Sequence, residues 1–259
     1  MRILIVNDDG INAPGLAVAE AIAADVAGPE GEIWVIAPEL ERSGTSHAVS
    51  YTTPLRVTEV GPRRWSVDGY PADCALVGMR WLLRDTPPDL VLSGVNRGHN
   101  LAEDVVYSGT VGAAMDAALG GARAVSMSQV YSRGEGAPAD LWGTARHLGA
   151  ETLRRVLALP REPGVFYNVN FPAREPEAIA GTTICPQGLR SEATFELDPY
   201  EAANGRQYHF LRHSTANRSA EAGSDAVLAA EGWITITPLH ARLTATHLLA
   251  GAAAALKGA

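Results

Sequence analysis

A chain of 259 residues with 46% hydrophobic and 19% charged residues has ordinary globular composition and is long enough for one large or two small domains around a sizeable core. A formal net charge of -8 argues against a nucleic-acid duplex or a membrane surface as the main partner, but not against a small anion whose site carries a metal. The two cysteines, Cys74 and Cys185, form no CxxC pair, so neither a disulfide framework nor a zinc site is indicated. No signal-peptide pattern precedes the first apolar run, and no run approaches the roughly 18–20 residues of a membrane span, so the chain reads as soluble and cytoplasmic.

The first element is the run Ile3-Leu-Ile-Val6, a strand covered on both faces. It ends in Asn7-Asp8-Asp9-Gly10. Continued as a strand, it would bury one of the two carboxylates in the core, so the chain must turn there, with Gly10 allowing the turn. Both carboxylates then sit at the carboxyl end of a parallel strand, where open α/β sheets bind ligands. A hard divalent metal relieves the repulsion between them. A turn plus helix cap is the competing reading of the same residues.

Residues 16–26 carry apolar positions at helical spacing, and 33–37 form a second strand closed by Pro38. Segments 55–57 and 65–67 alternate around Gly61-Pro62 and read as a hairpin inserted in the α/β pattern. A helix over 72–83, a core strand over 89–93, an Ala-rich helix over 110–119 and a strand over 124–128 follow. Residues 1–130 are therefore expected to form a doubly wound α/β core. Residues 131–259 are expected to hold the remaining core elements, a helix over 141–157 and strands over 165–170 and 232–239, together with a β-hairpin and a C-terminal helix over 245–256.

Three further polar clusters follow core strands. The first, Glu41 to His47, offers the hydroxyls of Ser43, Thr45 and Ser46, equally plausible on chemistry alone, and is otherwise a solvated loop. In the second, 93–100, Asn96 can offer a neutral amide oxygen to a Mg²⁺ or Mn²⁺ shell, or can simply sit in a glycine-rich turn. The third, Ser108-Gly109-Thr110 at a helix start, is either an anion site of free N–H groups and hydroxyls or an ordinary N-cap supplied by Ser108. No Walker A lysine is present. Metal carboxylates beside a helix-start anion site imply a phosphate ester held between them.

Residues 3–16, 37–47, 69–74, 88–100, 104–111 and 232–239, with Asn-Asp-Asp-Gly at 7–10 and Ser-Gly-Val-Asn-Arg-Gly at 93–98, resemble the survival protein E (SurE) family of metal-dependent nucleotidases in collinear order. The resemblance implies a Rossmann-like, mostly parallel doubly wound sheet with a smaller β-rich portion in oligomer contacts. It also implies hydrolysis of nucleoside 5′- and 3′-monophosphates. By motif position the metal ligands fall on Asp8, Asp9, Ser43 and Asn96. The chain departs from the family's pattern at Ala102, where Gly is common, at Asp116 for Glu, and at His99 for Pro, while His47 stands at a variable position.

The expectation is a phosphomonoesterase with one divalent cation, Mg²⁺ or Mn²⁺, on Asp8, Asp9, Ser43 and Asn96, and the phosphate on Ser108, Gly109 and Thr110. Water activated by the metal is preferred as nucleophile over an Asp8 or Asp9 carboxylate, with His47 or His99 as the acid. An aspartyl-phosphate phosphatase and a non-catalytic nucleotide-binding regulator are the alternatives. The strand-like pieces and long polar stretches of 191–239 and the apolar tail point to a homodimer or homotetramer.

Overall fold

The sheet grows outward from the first strand. In the computed structural model, which describes residues 1–132, 137–190, 195–213 and 220–257, β1 (Arg2–Val6) pairs in parallel with β2 (Glu32–Pro38) on one side and with a later strand, introduced below, on the other. Between them α1 (Pro14–Ala27) starts on a proline, whose fixed φ suits the first helical turn. The hairpin of β3 (Val57–Gly61) and β4 (Arg64–Val67) joins the same sheet, because β4 adds parallel to β2. Trp34 and Trp65 stack across that junction with ring centroids 5.2 Å apart.

The helix expected over 72–83 is α2 (Pro71–Val77) followed by a π-helical turn over Gly78–Leu82. Next come β5 (Leu90–Arg97), the short α3 (Asp104–Tyr107), α4 (Gly109–Leu119), β6 (Ala124–Gln129), α5 (Gly143–Ala158) and β7 (Val165–Phe171). β5 runs past the expected strand end, with a register shift against β6 between Ser93 and Asn96. Gly94, at φ +127°, makes this possible, since a Cβ there would stand 2.2 Å from the Met127 carbonyl oxygen.

In the second half, β8 (Gly181–Ile184), β9 (Phe195–Glu201), β10 (Gln207–His213), α6 (Asp225–Ala230), β11 (Trp233–His240) and α7 (Leu249–Lys257) complete the chain. The central sheet has nine strands in the order β3-β4-β2-β1-β5-β6-β7-β11-β8. The strands from β4 to β7 in that order are parallel to one another, β3 is antiparallel to β4, and β11 is antiparallel to β7 and parallel to β8. β9 and β10 form a separate antiparallel ribbon. Residues beyond 130 therefore extend the central sheet and add this ribbon.

Alternation along β1 explains its unbroken apolar sequence. Ile3 and Ile5 join the core beneath α1 and α5, whereas Leu4 and Val6 join the core beneath α2 and α4. The chain leaves β1 through α1 toward β2 and leaves β5 through α4 toward β6, in the opposite direction along the sheet. The crevice outside the carboxyl ends of β1 and β5 is thus the topological switch point. Among the described residues no helix is long and apolar enough to cross a membrane.

The packing of α1 on β5 positions that crevice, and it tolerates no side chain at Gly15. A Cβ there would stand 2.0 Å from the Val95 carbonyl oxygen and 2.7 Å from the Trp142 ring. Gly15→Ala is expected to destabilise the protein by about 3 kcal/mol, the upper range for overpacking. Chemical denaturation measures it, and a loss within experimental error would show that α1 can shift freely.

Candidate functional site

The turn after β1 is closed by Asn7, which is fully buried. Its Nδ2 donates to the Gly10 carbonyl at 2.8 Å, and its Oδ1 accepts the Gly10 N–H at 3.3 Å. The two carboxylates that follow are tied to different elements. Asp8 is 3% exposed and accepts the Thr110 N–H at 3.2 Å and the Thr110 hydroxyl, both from the first turn of α4. Asp9 accepts the Arg97 N–H at 3.1 Å, at the end of β5.

Burial pushes the Asp8 carboxyl up to about 7, and the charge of Asp9 adds to this, against the opposing pull of the Thr110 hydrogen bonds. Asp9 is raised as well, by burial first and then by Glu41, although the Arg97 N–H and guanidinium oppose the shift. Among the described residues, the groups that stabilise the Asp8 carboxylate are the hydrogen bonds of Thr110 and a backbone hydrogen bond of Asp8 itself, not a cationic side chain.

The loop after β2 is pinned over this turn. The Arg42 N–H donates to the Asp8 carbonyl at 2.7 Å and the Ser46 N–H to the Tyr107 carbonyl at 2.9 Å. Gly112 on α4 admits the loop, since a Cβ there would lie 2.4 Å from the Ser46 carbonyl oxygen. Sequence chemistry leaves Ser43, Thr45 and Ser46 equivalent, but the fold separates them. The Thr45 and Ser46 hydroxyls donate to the carbonyls of Arg42 and Val106 at 2.8 and 2.7 Å. The exposed Ser43 donates to Glu41 at 2.9 Å, and it lines the same cavity as Asp8. Asn96 donates its Nδ2 to the Gly98 carbonyl at 3.3 Å, and its side chain lines the same cavity as Asp8.

Asp8, Ser43, Asn96, His99 and Ser108 line one cavity of about 680 Å³, whose apolar wall includes Tyr107, Tyr131 and Phe195. Asp9, Gly109, Thr110 and His47 lie outside that lining. At the helix start Ser108 is the N-cap, its Oγ accepting the Val111 N–H at 3.1 Å. Both Thr110 donors go to Asp8, so in this geometry Thr110 positions the carboxylate. Gly109 lets α4 approach β1, since a Cβ there would be 3.0 Å from the Asp8 Cβ.

Several site-building residues carry no motif signal. Asn100 takes the Asn170 side chain on its N–H at 2.9 Å, gives its Nδ2 to Ser128 Oγ at 2.7 Å, and accepts at its carbonyl from Asn168 at 2.8 Å. The polar positions 168 and 170 within the apolar β7 could have announced this role. Asp225, fully buried, accepts the Ala102 N–H at 3.0 Å and the Gly188 N–H at 2.9 Å. Nothing local in the sequence points to it. Ala102 itself sits at φ +51°, a conformation that suits the glycine common there in the resembled family.

The donor set tests what cation fits. Among the described residues no group of three or more His, Cys, Asp or Glu side chains converges. The oxygen donors of this region are two carboxylates, a hydroxyl and an amide oxygen, and a cation held by them would be completed by solvent or substrate. That all-oxygen set suits Mg²⁺ or Mn²⁺ and not a soft metal.

A family model described as Survival protein SurE matches residues 3–194. The chain is 46% identical over 254 residues to 5'-nucleotidase SurE of Roseobacter denitrificans, covering 96% of this chain and 97% of that protein. It is 46% identical over 244 residues to 5'-nucleotidase SurE of a Methylobacterium species, covering 94% and 95%. The crystal structure of the SurE protein from Aquifex aeolicus superposes with a TM-score of 0.80 at 30% identity, covering 97% of this chain and 98% of that one.

A buried carboxyl raised to about 7 has a consequence for stability without metal. Between its ordinary value near 4 and its folded value the folded state binds the extra proton, so stability falls as pH rises through that window and is unaffected below it. In EDTA the melting temperature should decline from pH 5 to pH 8, and Asp8→Asn should remove most of that decline. The variant should gain up to about 4 kcal/mol at pH 8, about three pKa units at 1.36 kcal/mol each. Parallel profiles for the two proteins would show that Asp8 ionises without cost.

Proposed function

The chain belongs to the survival protein SurE family, and on that premise we infer that it is a divalent-cation-dependent phosphomonoesterase releasing phosphate from nucleoside 5′- and 3′-monophosphates. The observation that supports the reading is the buried Asp8 carboxylate, raised by burial and lining one cavity with Ser43 and Asn96. Asp8, Asp9, Ser43 and Asn96 would hold one Mg²⁺ or Mn²⁺. Such an ion supplies Lewis acidity toward phosphoryl oxygens and lowers the pKa of a coordinated water.

The remaining roles fall to this chain's own groups. The cavity's apolar wall of Tyr107, Tyr131 and Phe195 has the character to bind a nucleoside rather than bare phosphate. Ser108 and the amino end of α4 meet the phosphate with a hydroxyl and a positive dipole end, with Gly109 permitting the close approach. Thr110 and Arg97 keep the two carboxylates oriented and occupied. That occupancy favours water over an aspartate as nucleophile.

Self-association as a homodimer or homotetramer belongs to the same reading. The β9–β10 ribbon exposes Leu197, Tyr200, Phe210 and Leu211, and α7 has no buried residue. Exposed apolar strands of this kind favour a partner surface. Light scattering at micromolar concentration should report a dimer or tetramer, and Phe210→Asp should shift it toward monomer. A monomeric parent protein would end this part of the reading.

Metal dependence is tested directly. EDTA-stripped protein should lose phosphate release from nucleoside monophosphates and regain it with Mg²⁺ or Mn²⁺. Asp9→Asn and Asn96→Ala should stay folded and lose on the order of a thousandfold or more in rate, the scale of several kcal/mol of transition-state stabilisation. Full activity of the stripped enzyme would exclude the cation.

A further inference from the structure

Hydrolysis of a nucleotide needs a proton for the departing nucleoside oxygen, since an alkoxide leaves poorly. We propose that His99 is the general acid that delivers it, with Asp104 and Arg190 holding the imidazole in place; this rests on the nucleotidase reading above. Two histidines lie near the site, and the fold distinguishes them. His47 Nε2 is 3.0 Å from Asp116 Oδ1 on α4, and His47 is outside the cavity lining. His99 lines the cavity together with Asp8 and Ser108.

The support behind His99 is built in layers. Its Nε2 lies 3.2 Å from Asp104 Oδ2, with 37% of the His99 side chain exposed against 6% for Asp104. Arg190 Nη1 donates to the same carboxylate oxygen at 2.9 Å and to Glu103 Oε1 at 2.9 Å. The segment leading into α3, which Asp104 begins, is fastened through Ala102, whose N–H is held by Asp225 and whose carbonyl accepts Gln187 Nε2 at 2.8 Å. Burial acts to raise the Asp104 carboxyl, but its contacts with His99 and Arg190 outweigh that and hold it below the ordinary carboxylate range. An ionised Asp104 accepts the Nε2 proton, which leaves Nδ1 as the ring nitrogen that serves the substrate. The same division of labour orders the histidine of a Ser-His-Asp triad.

The step balances without a further reagent. Water oxygen bonds to phosphorus, the bond from phosphorus to the nucleoside oxygen breaks with its electron pair on that oxygen, and the oxygen takes the Nδ1 proton. The proton lost by the attacking water returns through solvent to the imidazole. Asp104 stays ionised throughout and is a positioning residue. A proline, frequent here in the resembled family, could not perform this step, so the assignment concerns chains that carry histidine at this position.

Leaving groups separate this role from phosphate binding or folding. p-Nitrophenolate departs without a proton, and a nucleoside oxygen does not. With the metal-loaded full-length protein, His99→Asn should lower kcat for a nucleoside 5′-monophosphate by about a hundredfold, the low end for general acid catalysis. The loss on p-nitrophenyl phosphate should be far smaller, so the ratio of the two rates shifts at least tenfold, and KM for the nucleotide should change little. Asp104→Asn should shift the ratio in the same direction by a smaller factor. Equal losses on the two esters in His99→Asn, or no loss on either, would overturn the assignment. A parent enzyme that hydrolyses p-nitrophenyl phosphate but no nucleotide would instead overturn the nucleotidase reading and, with it, the leaving group assumed here.

Discussion

The burial of one carboxylate at the switch point of the sheet is the constraint on which the rest of the site depends. Asp8 lies two residues past β1, whose side chains after Arg2 are all in a core, and is itself 3% exposed, so little of its charge reaches solvent. Thr110 supplies two hydrogen bonds from the other side of the crevice. These reduce the cost of the charge without cancelling it, as the raised carboxyl shows. The fold therefore keeps an anionic group in a place where only a cation, or a proton, completes it. Under the proposed function that cation is a metal ion.

The two cores make this arrangement rigid. α1 and α5 cover one face of the sheet and α2 and α4 the other, so the loops leaving β1 and β5 meet at a single edge. Close packing then transmits small changes in these helices to the loops. Glycines 15, 109 and 112 each stand where a Cβ would meet a backbone or side-chain atom within 3.0 Å. Their absence of a side chain brings α1 against β5, α4 against β1, and the loop after β2 against α4. The polar groups converge because these approaches are so short.

The second half of the chain holds the site loops from behind. Asn168 and Asn170 on β7 fasten Asn100. Asp225, Gln187 and Arg190 fasten the segment 102–104. Each contact satisfies a backbone group or carboxylate that burial would otherwise leave unpaired. The loop geometry of the first half is thus specified partly by residues more than 65 positions away in sequence. The ribbon of β9 and β10 contributes Phe195 and Leu211 to the cavity wall, which joins the region proposed for self-association to the region proposed for nucleoside binding.

Sequence alone determined the α/β alternation, the placement of β1, β2, β5, β6 and β7 to within a few residues, and the position of the two adjacent aspartates at the carboxyl end of β1. Those properties are local, written in apolar runs that end in polar turns. β8, β9, α3 and α6 were not legible, because their segments are short and lie in polar, turn-rich sequence whose structure is set by tertiary contacts. The same limit applied within the site. Ser43, Thr45 and Ser46 are equivalent as chemistry, and only the docking of their loop on α4 left Ser43 facing the cavity. Ser108-Gly109-Thr110 reads as one anion cradle, yet the approach of α4 to β1 turned Thr110 onto Asp8 and made Ser108 the cap. Residue type states what a side chain can do; which partner it meets is decided by the long-range packing that brings the strand ends together.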